Sequence, residues 1–237
     1  MRWTDGERLI LKELYLEGRP LKTIGERLGK TRNQVSCQAY WFGLRRRHTL
    51  YTSFTPELSP TLAYVVGVLK GDGSVTKQKK GTYYIHLCTS EEKFAKSFSN
   101  SLKELGFRAK TKKWGTYYYA YTCSLPFGKW YWSLNESELE QLVSNEEQAR
   151  EFIRGFYESE GLVWSLPKSR LFIAMWNKRL DLLEFIGKVM LRKGFRFSFT
   201  EDKRTGVKRL SVLGGSAESR RFLEWIKPCI KNIERVK

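Results

Sequence analysis

Apolar positions recur at helical spacing in three short stretches at the start of the chain. Trp3, Leu9, Ile10, Leu14 and Leu16 suit one helix ending near Gly18, and Leu21, Ile24 and Leu28 suit a second ending at Gly29. Thr31 is placed to cap a third helix whose inner face would hold Val35, Ala39 and Phe42 or Leu44. This helix runs into Arg45, Arg46 and Arg47. Helix, helix, glycine-containing turn, helix is the helix-turn-helix pattern, in which the last helix enters the major groove. Arg32, Asn33, Gln34 and Gln38 are then the candidate base readers, with the three arginines beside them. A three-helix structural appendage would show the same apolar spacing; the basic end favours the DNA-binding version. Residues 1–50 form this module, and the proline-marked segment 51–58 links it to the rest.

From Ser59 the pattern repeats. When TLAYVVGVLKGDGSV is laid over AREFIRGFYESEGLV, Asp72 falls on Glu160, 88 residues later, Gly67 on Gly155 and Gly73 on Gly161. Leu105-Gly106-Phe107 falls on Lys193-Gly194-Phe195, each phenylalanine 35 residues after its acid. Each half reads as an apolar helix, two strands (ending at Cys88 and at Trp176), a helix (Ser90 to Leu105, Lys178 to Lys193) and two more strands. Those last strands are RAKTKKW with TYYYAYT, and RFSFTED with VKRLSVL. A closing helix is expected near Ser137 to Val143 and again from Ala217 to Ile230. The fold class is therefore α+β: two pseudo-symmetric αββαββα half-domains, 59–145 and 146–237, preceded by the small helical module.

Both repeated helices end in an acid followed by glycine. The last turn of a helix carries unpaired carbonyls and the negative end of the dipole, so a carboxylate there is electrostatically misplaced. A carboxylate beside free carbonyl oxygens is, however, half of a site for a hard divalent cation. Gly67 and Gly155 would let the two helices pack backbone against backbone and bring the half-sites together. Such a centre can activate water and stabilise the leaving oxygen in phosphodiester cleavage. One Asp-Gly alone would be an ordinary turn; two at matched places in a duplicated chain point to chemistry. Glu158 competes for the second role, but the alignment through Gly161 selects Glu160.

Charge narrows the partner. Forty-three Lys and Arg against 25 Asp and Glu give a net charge of +18, which suits a polyanion whose counterions are released on binding. The bases are spread over strands and interleaved with aromatics, not gathered on an amphipathic membrane helix. The longest apolar run, Leu62 to Leu69, is too short to span a bilayer, and the charged start is not expected to act as a signal peptide. A soluble intracellular protein, cytoplasmic or organellar, is expected. Cys37, Cys88, Cys123 and Cys229 are too scattered for zinc or a disulfide framework and are expected to be buried, reduced thiols.

LAYVVGVLKGDGS and FIRGFYESEG resemble the two signature helices of the LAGLIDADG homing endonucleases in their single-chain, two-motif form. The αββαββ order of each half and MWNKRLDLLEF after the second strand agree with this, and IGERLGKTRNQVSCQAYWFGLRRR is similar to Myb-like helix-turn-helix modules. The resemblance implies a monomer whose two sheets form a concave saddle over double-stranded DNA. It also implies site-specific cleavage at a long asymmetric target, with Mg²⁺ (Mn²⁺ as substitute) and 3′ overhangs. Asp72 and Glu160 would bind metal, helped by the carbonyls of Gly71 and Ser159. Lys178 matches a basic residue kept near the water network. The first half departs from the pattern: the corresponding place reads Cys88-Thr89-Ser90, which leaves Lys93 or Lys77 as the basic partner of Asp72.

On a saddle, strand residues alternate between core and DNA. Arg108, Lys110 and Lys112 share one parity, as do Tyr117, Tyr119 and Tyr121. Lys77 with Lys79, Lys168 with Arg170, and Lys203 with Arg204 fall where hairpin turns would reach phosphates. Two other functions fit the same scaffold: a non-cleaving DNA-binding transcriptional regulator, which would have no use for an acid at both helix ends, and an intron RNA maturase. An intein is not expected, since neither a nucleophilic first residue nor a terminal His-Asn pair is present.

Overall fold

The computed structural model describes residues 3–17, 19–44, 54–79, 81–166 and 170–232, and the chain divides into two compact units, residues 1–51 and 52–237. The first unit holds α1 (Asp5–Leu16), α2 (Leu21–Leu28) and α3 (Arg32–Trp41). Capping boxes open α1, from Thr4 and Glu7, and α3, from Thr31 and Gln34; α2 stops at Gly29, whose φ of 61° suits glycine. The core is Leu11, Ile24 and Val35, flanked by Trp3, Leu14, Leu21, Leu28 and Leu44. Leu9 and Leu16, expected inside, are 60% and 68% exposed. The stripe that packs is Leu11, Leu14 and Tyr15, whose three- and four-residue spacing leaves Leu9 and Leu16 on the far side.

The second unit is built on the repeat. In the first half, α4 (Pro60–Lys70) leads into β1 (Ser74–Lys77), β2 (Tyr83–Thr89), α5 (Glu92–Glu104), β3 (Lys110–Trp114) and β4 (Tyr117–Cys123), closed by α6 (Leu125–Ser133). A short α7 (Glu136–Leu142) then leads to the second half: α8 (Glu146–Glu160), β5 (Gly161–Leu166), β6 (Arg170–Asn177), α9 (Leu180–Arg192), β7 (Phe197–Asp202), β8 (Val207–Val212) and α10 (Gly215–Ile226). Each half contributes an antiparallel four-stranded sheet, ordered β1-β2-β4-β3 and β5-β6-β8-β7. The identical strand order is the duplication made visible.

The closing helix of the first half lies elsewhere than expected. α6, which follows β4 as α10 follows β8, spans LPFGKWYWS, whose aromatics hide any helical periodicity; the 137–143 segment is α7, an insertion between the halves. α6 is tied to the first repeat helix: Tyr131 Oη donates to the Leu69 carbonyl at 2.9 Å and Trp132 Nε1 to the Val75 carbonyl at 3.2 Å.

α4 and α8 lie side by side at the centre, buried almost throughout. A Cβ added at Gly67 would overlap the Phe152 carbonyl oxygen, and one at Gly155 the Tyr64 carbonyl oxygen. Large ring-bearing side chains are fully buried in both halves: Phe94, Phe98 and Phe127 in the first, Phe152, Phe195 and Phe222 in the second. The core faces of the sheets follow the pleat, with Val75, Ile85, Leu87 and Ala120 inside in one half and Leu171, Ile173, Met175 and Leu210 in the other. All four cysteines are free thiols, but not all are buried: Cys37 and Cys88 are exposed, and Cys123 and Cys229 half-buried. Cys88 follows core-facing Leu87 on its strand and so points the other way; Cys37 lies off the Val35–Ala39 face of α3.

Candidate active site and nucleic-acid interface

The close packing of α4 and α8 brings their C-terminal ends together. A Cβ at Gly71 would overlap that of Ser159 and stand 3.1 Å from Cγ of Glu160. Asp72 follows α4 at the surface, and Glu160, half-buried, is the last residue of α8. The Asp72 charge reaches Glu160. Partial burial and the Asp72 charge push Glu160 up to about 7, against the opposing pull of Asn177 and Lys231. Burial likewise raises Asp72, and Lys231 lowers it. Two acids 88 residues apart in the chain thus stand within electrostatic reach of each other.

Three side chains from other elements lie beside the acids or the carbonyl next to them. Asn177, at the end of β6, donates from Nδ2 to Oε1 of Glu160 at 2.9 Å. Its Oδ1 accepts from the Arg179 N–H, also at 2.9 Å, so the amide is held from both sides. Lys178 is exposed and lines, with Glu160, Trp176, Asn177 and Val207, an open cavity of about 330 Å³. Lys231, half-buried after α10, donates from Nζ to the carbonyl of Ser159 at 2.5 Å. Burial lowers its pKa, while Asp72, Glu160, Glu158 and Glu91 raise it. Lys93 is exposed on the first turn of α5 and Lys77 ends β1; the Lys231 charge lowers the Asp72 pKa.

Glu158 does other work. It is fully buried, accepts from Tyr64 Oη at 2.7 Å and from the Cys229 N–H at 2.7 Å, and faces Arg154 at 4.0 Å. It faces into the protein, not toward the paired helix ends. Among the described residues no group of three or more His, Cys, Asp and Glu side chains converges on a metal position. The donor set is two carboxylates and backbone carbonyls, all hard oxygens. This composition would suit a hard divalent cation and does not fit zinc.

The outward faces of both sheets are aromatic and basic. Pairing sets Lys110 opposite Tyr121, Lys112 opposite Tyr119 and Trp114 opposite Tyr117, and continues across to His86 and Cys88 on β2. Every residue of β3 is exposed. Lys112 stands 5.6 Å over the Trp114 ring, and Tyr84 stacks on His86 with centroids 4.7 Å apart. The second sheet repeats the arrangement with other residues: Trp164 contacts Phe172 and Trp176, at 4.4 and 5.8 Å, and Arg209 lies 6.0 Å from the Phe172 ring. Lys77 and Lys79 lie at the β1–β2 hairpin, Lys203 and Arg204 at the β7–β8 turn, Arg170 opens β6, and Arg108 is exposed just before β3. Lys168 lies outside the described residues, as do Arg45, Arg46 and Arg47.

On α3, Arg32 and Asn33 are exposed and Gln38 is half-buried. Gln34 is engaged: its Oε1 accepts the Thr31 N–H at 2.8 Å to close the capping box, which limits it as a base reader. Lys231 and Asn177 beside the acids, and Arg209, Trp164 and Phe172 on the second sheet, are residues that the sequence pattern did not single out. Arg209 had a usable signal, since it pairs with outward-facing Trp176 and has the parity opposite to core-facing Leu210; Asn177 shares the core parity of Leu171, Ile173 and Met175. Lys231 had none.

A duplicated α+β chain with an acidic pair where its two central helices end defines a narrow class. The sequence profile of the LAGLIDADG-like domain matches residues 59–146 and again 147–227, and the chain belongs to that family. The chain resembles the homing endonuclease I-DmoI in a structure of its mesophilic variants (TM-score 0.54, 25% identity, 71% of this chain and 96% of that one). The LAGLIDADG domain of DUF199/WhiA shares the fold (TM-score 0.52, 15% identity, 77% and 94%). Two uncharacterized proteins of Methanocaldococcus jannaschii, MJ0314 and MJ0398, are 29% and 32% identical over 63% and 57% of this chain. The matches span 60% and 49% of those relatives. Among the described residues no helix is long and apolar enough to cross a membrane.

Proposed function

We propose that this chain is a site-specific endonuclease that cuts double-stranded DNA with a divalent metal, acting as a monomer on a long asymmetric target and leaving 3′ overhangs. The observation that carries this reading is the convergence of Asp72 and Glu160, strong enough that the charge of one raises the pKa of the other. A protein that only bound DNA would gain nothing from two carboxylates held against their mutual repulsion. I-DmoI has been crystallised in complex with DNA and Mn, which supports the same partner and a divalent ion here.

Asp72 and Glu160, with the carbonyls of Gly71 and Ser159, would hold the metal, which when bound lowers the pKa of an attacking water and neutralises developing phosphate charge. Asn177 fixes the rotamer of Glu160, so that its carboxylate is aimed before substrate arrives. Lys178, in the cavity beside Glu160, steadies the charge that builds on the phosphate or polarises the water. Lys110, Lys112 and Arg209 contact phosphates and base edges, and Trp114, Tyr119 and Trp164 shape the surface around them. Arg32, Asn33 and Gln38 of the N-terminal module lengthen the site as helix-turn-helix readers.

The test is incubation with a plasmid library carrying candidate insertion sites, in Mg²⁺ or in EDTA. Linear product in Mg²⁺ alone supports the nuclease. Tight binding to a site that is never cut in Mg²⁺ or Mn²⁺ would transfer the reading to a regulator, and preference for folded intron RNA to a maturase.

A further inference from the structure

The segment after α10 returns to the end of α8 and is held there by three consecutive residues. Tyr157 Oη donates to the Lys231 carbonyl at 2.9 Å, Glu158 accepts from the Cys229 N–H at 2.7 Å, and the Ser159 carbonyl accepts from Lys231 Nζ at 2.5 Å. Lys227 and Lys231 both adopt left-handed backbone conformations, with φ of 47° and 57°. Residues with a Cβ take that conformation at a cost, and it persists only where the surroundings impose it. Burying Glu158 completely also costs free energy, which the Tyr64 and Cys229 hydrogen bonds and Arg154 offset. The segment is thus a built clamp, and its product is the position of one ammonium group.

That ammonium bonds the backbone oxygen beside Glu160, and its charge reaches Asp72, Glu160, Glu158 and Glu91, which come from both halves of the repeat. We propose that Lys231 is a tethered counter-cation of the acid pair and competes with divalent metal for the Ser159 carbonyl and the two carboxylates. An ammonium group and a metal ion both seek oxygen donors, but like charges exclude each other at such range. Binding of metal then requires the Lys231 side chain to withdraw, while its backbone stays clamped by Tyr157 and Glu158. Lys231 acts on the acids without touching substrate, so it is a positioning residue. The inference rests on the metal site of the proposed nuclease.

Mn²⁺ titration of the full chain, followed by electron paramagnetic resonance, tests it without reference to cleavage. Lys231→Met is expected to bind Mn²⁺ tighter by about tenfold or more, and to melt lower than wild type in EDTA, with Mn²⁺ restoring the difference. If wild type binds Mn²⁺ through Glu160, as shown by loss in Glu160→Gln, and Lys231→Met binds equally or more weakly, the competition is refuted and the metal site stands. If neither chain binds Mn²⁺, with or without DNA, both ideas fall. Should Lys231→Met not fold, Tyr157→Phe loosens the clamp without changing charge. It is expected to tighten Mn²⁺ binding by a smaller factor, and an unchanged affinity overturns the proposal.

Discussion

Gly67 and Gly155 are reciprocal partners: each lies against the carbonyl of the residue three positions before the other, Phe152 for Gly67 and Tyr64 for Gly155. No side chain fits at either place, so α4 and α8 meet backbone to backbone. This packing, made reciprocally by both helices, brings their ends together and with them the acids. Gly67→Ala and Gly155→Ala should each destabilise the second unit by roughly 2–4 kcal/mol, because the obstruction is backbone that cannot swing away. Thermal melting of the purified variants measures it; an unchanged midpoint would mean the helices pack otherwise.

Gly71 has a different sensitivity. A methyl group there would press on Ser159 and Glu160, so Gly71→Ala should damage metal binding more than its loss of stability explains. A Mn²⁺ affinity that falls only in proportion to unfolded protein would contradict this.

The two acids should be indispensable for cutting and dispensable for holding DNA. Asp72→Asn and Glu160→Gln are expected to reduce cleavage by roughly a hundredfold or more, with target affinity in Ca²⁺ or EDTA retained or slightly improved as negative charge is removed. Gel-shift and cleavage assays on the same preparations separate the two effects.

Glu160 gives a pH signature with a definite sign. Its folded pKa, about 7, lies above the range of a free carboxylic acid, so between roughly pH 4.5 and 7 the folded chain holds a proton that the unfolded chain has lost. The contribution to stability is present below that window and disappears as pH rises through it, by at most ~3 kcal/mol and less for the solvent that reaches the carboxylate. Melting in EDTA should therefore fall as pH rises from 5 to 8. Glu160→Gln should flatten the slope, and so should saturating Mg²⁺. A slope that survives in Glu160→Gln would assign it to another group.

The outward sheet faces should carry the salt dependence of DNA binding. Replacing Lys110, Lys112 or Arg209 with Ala should weaken binding and reduce the slope of log K against log salt by about 0.9 for each phosphate no longer neutralised. Lys12, exposed on α1, is the control expected to change little. Equal effects at all four positions would mean a diffuse charge effect with no defined binding face.

What the sequence determined by itself is whatever depends on neighbours along the chain. The repeat was readable because each half needs the same periodicities at the same spacing, and Asp72 and Glu160 because both stand where a helix ends before glycine. Strand parity likewise put Lys110 and Lys112 on one face of β3, opposite Tyr121 and Tyr119, since alternation is a local property of the pleat. The same reasoning failed where local signals are weak or mixed. α6 is so rich in aromatics that no polar face marks it, and Leu9 mimicked a core position that Leu11 holds. Tertiary structure alone decided which distant groups surround the acids. Lys231 lies 71 residues beyond Glu160 in the chain, in a segment without periodicity, and reaches Ser159 only because α10 docks on the second sheet and Glu158 catches the chain that leaves it. No spacing rule encodes such a meeting, because it depends on the packing of all the elements between.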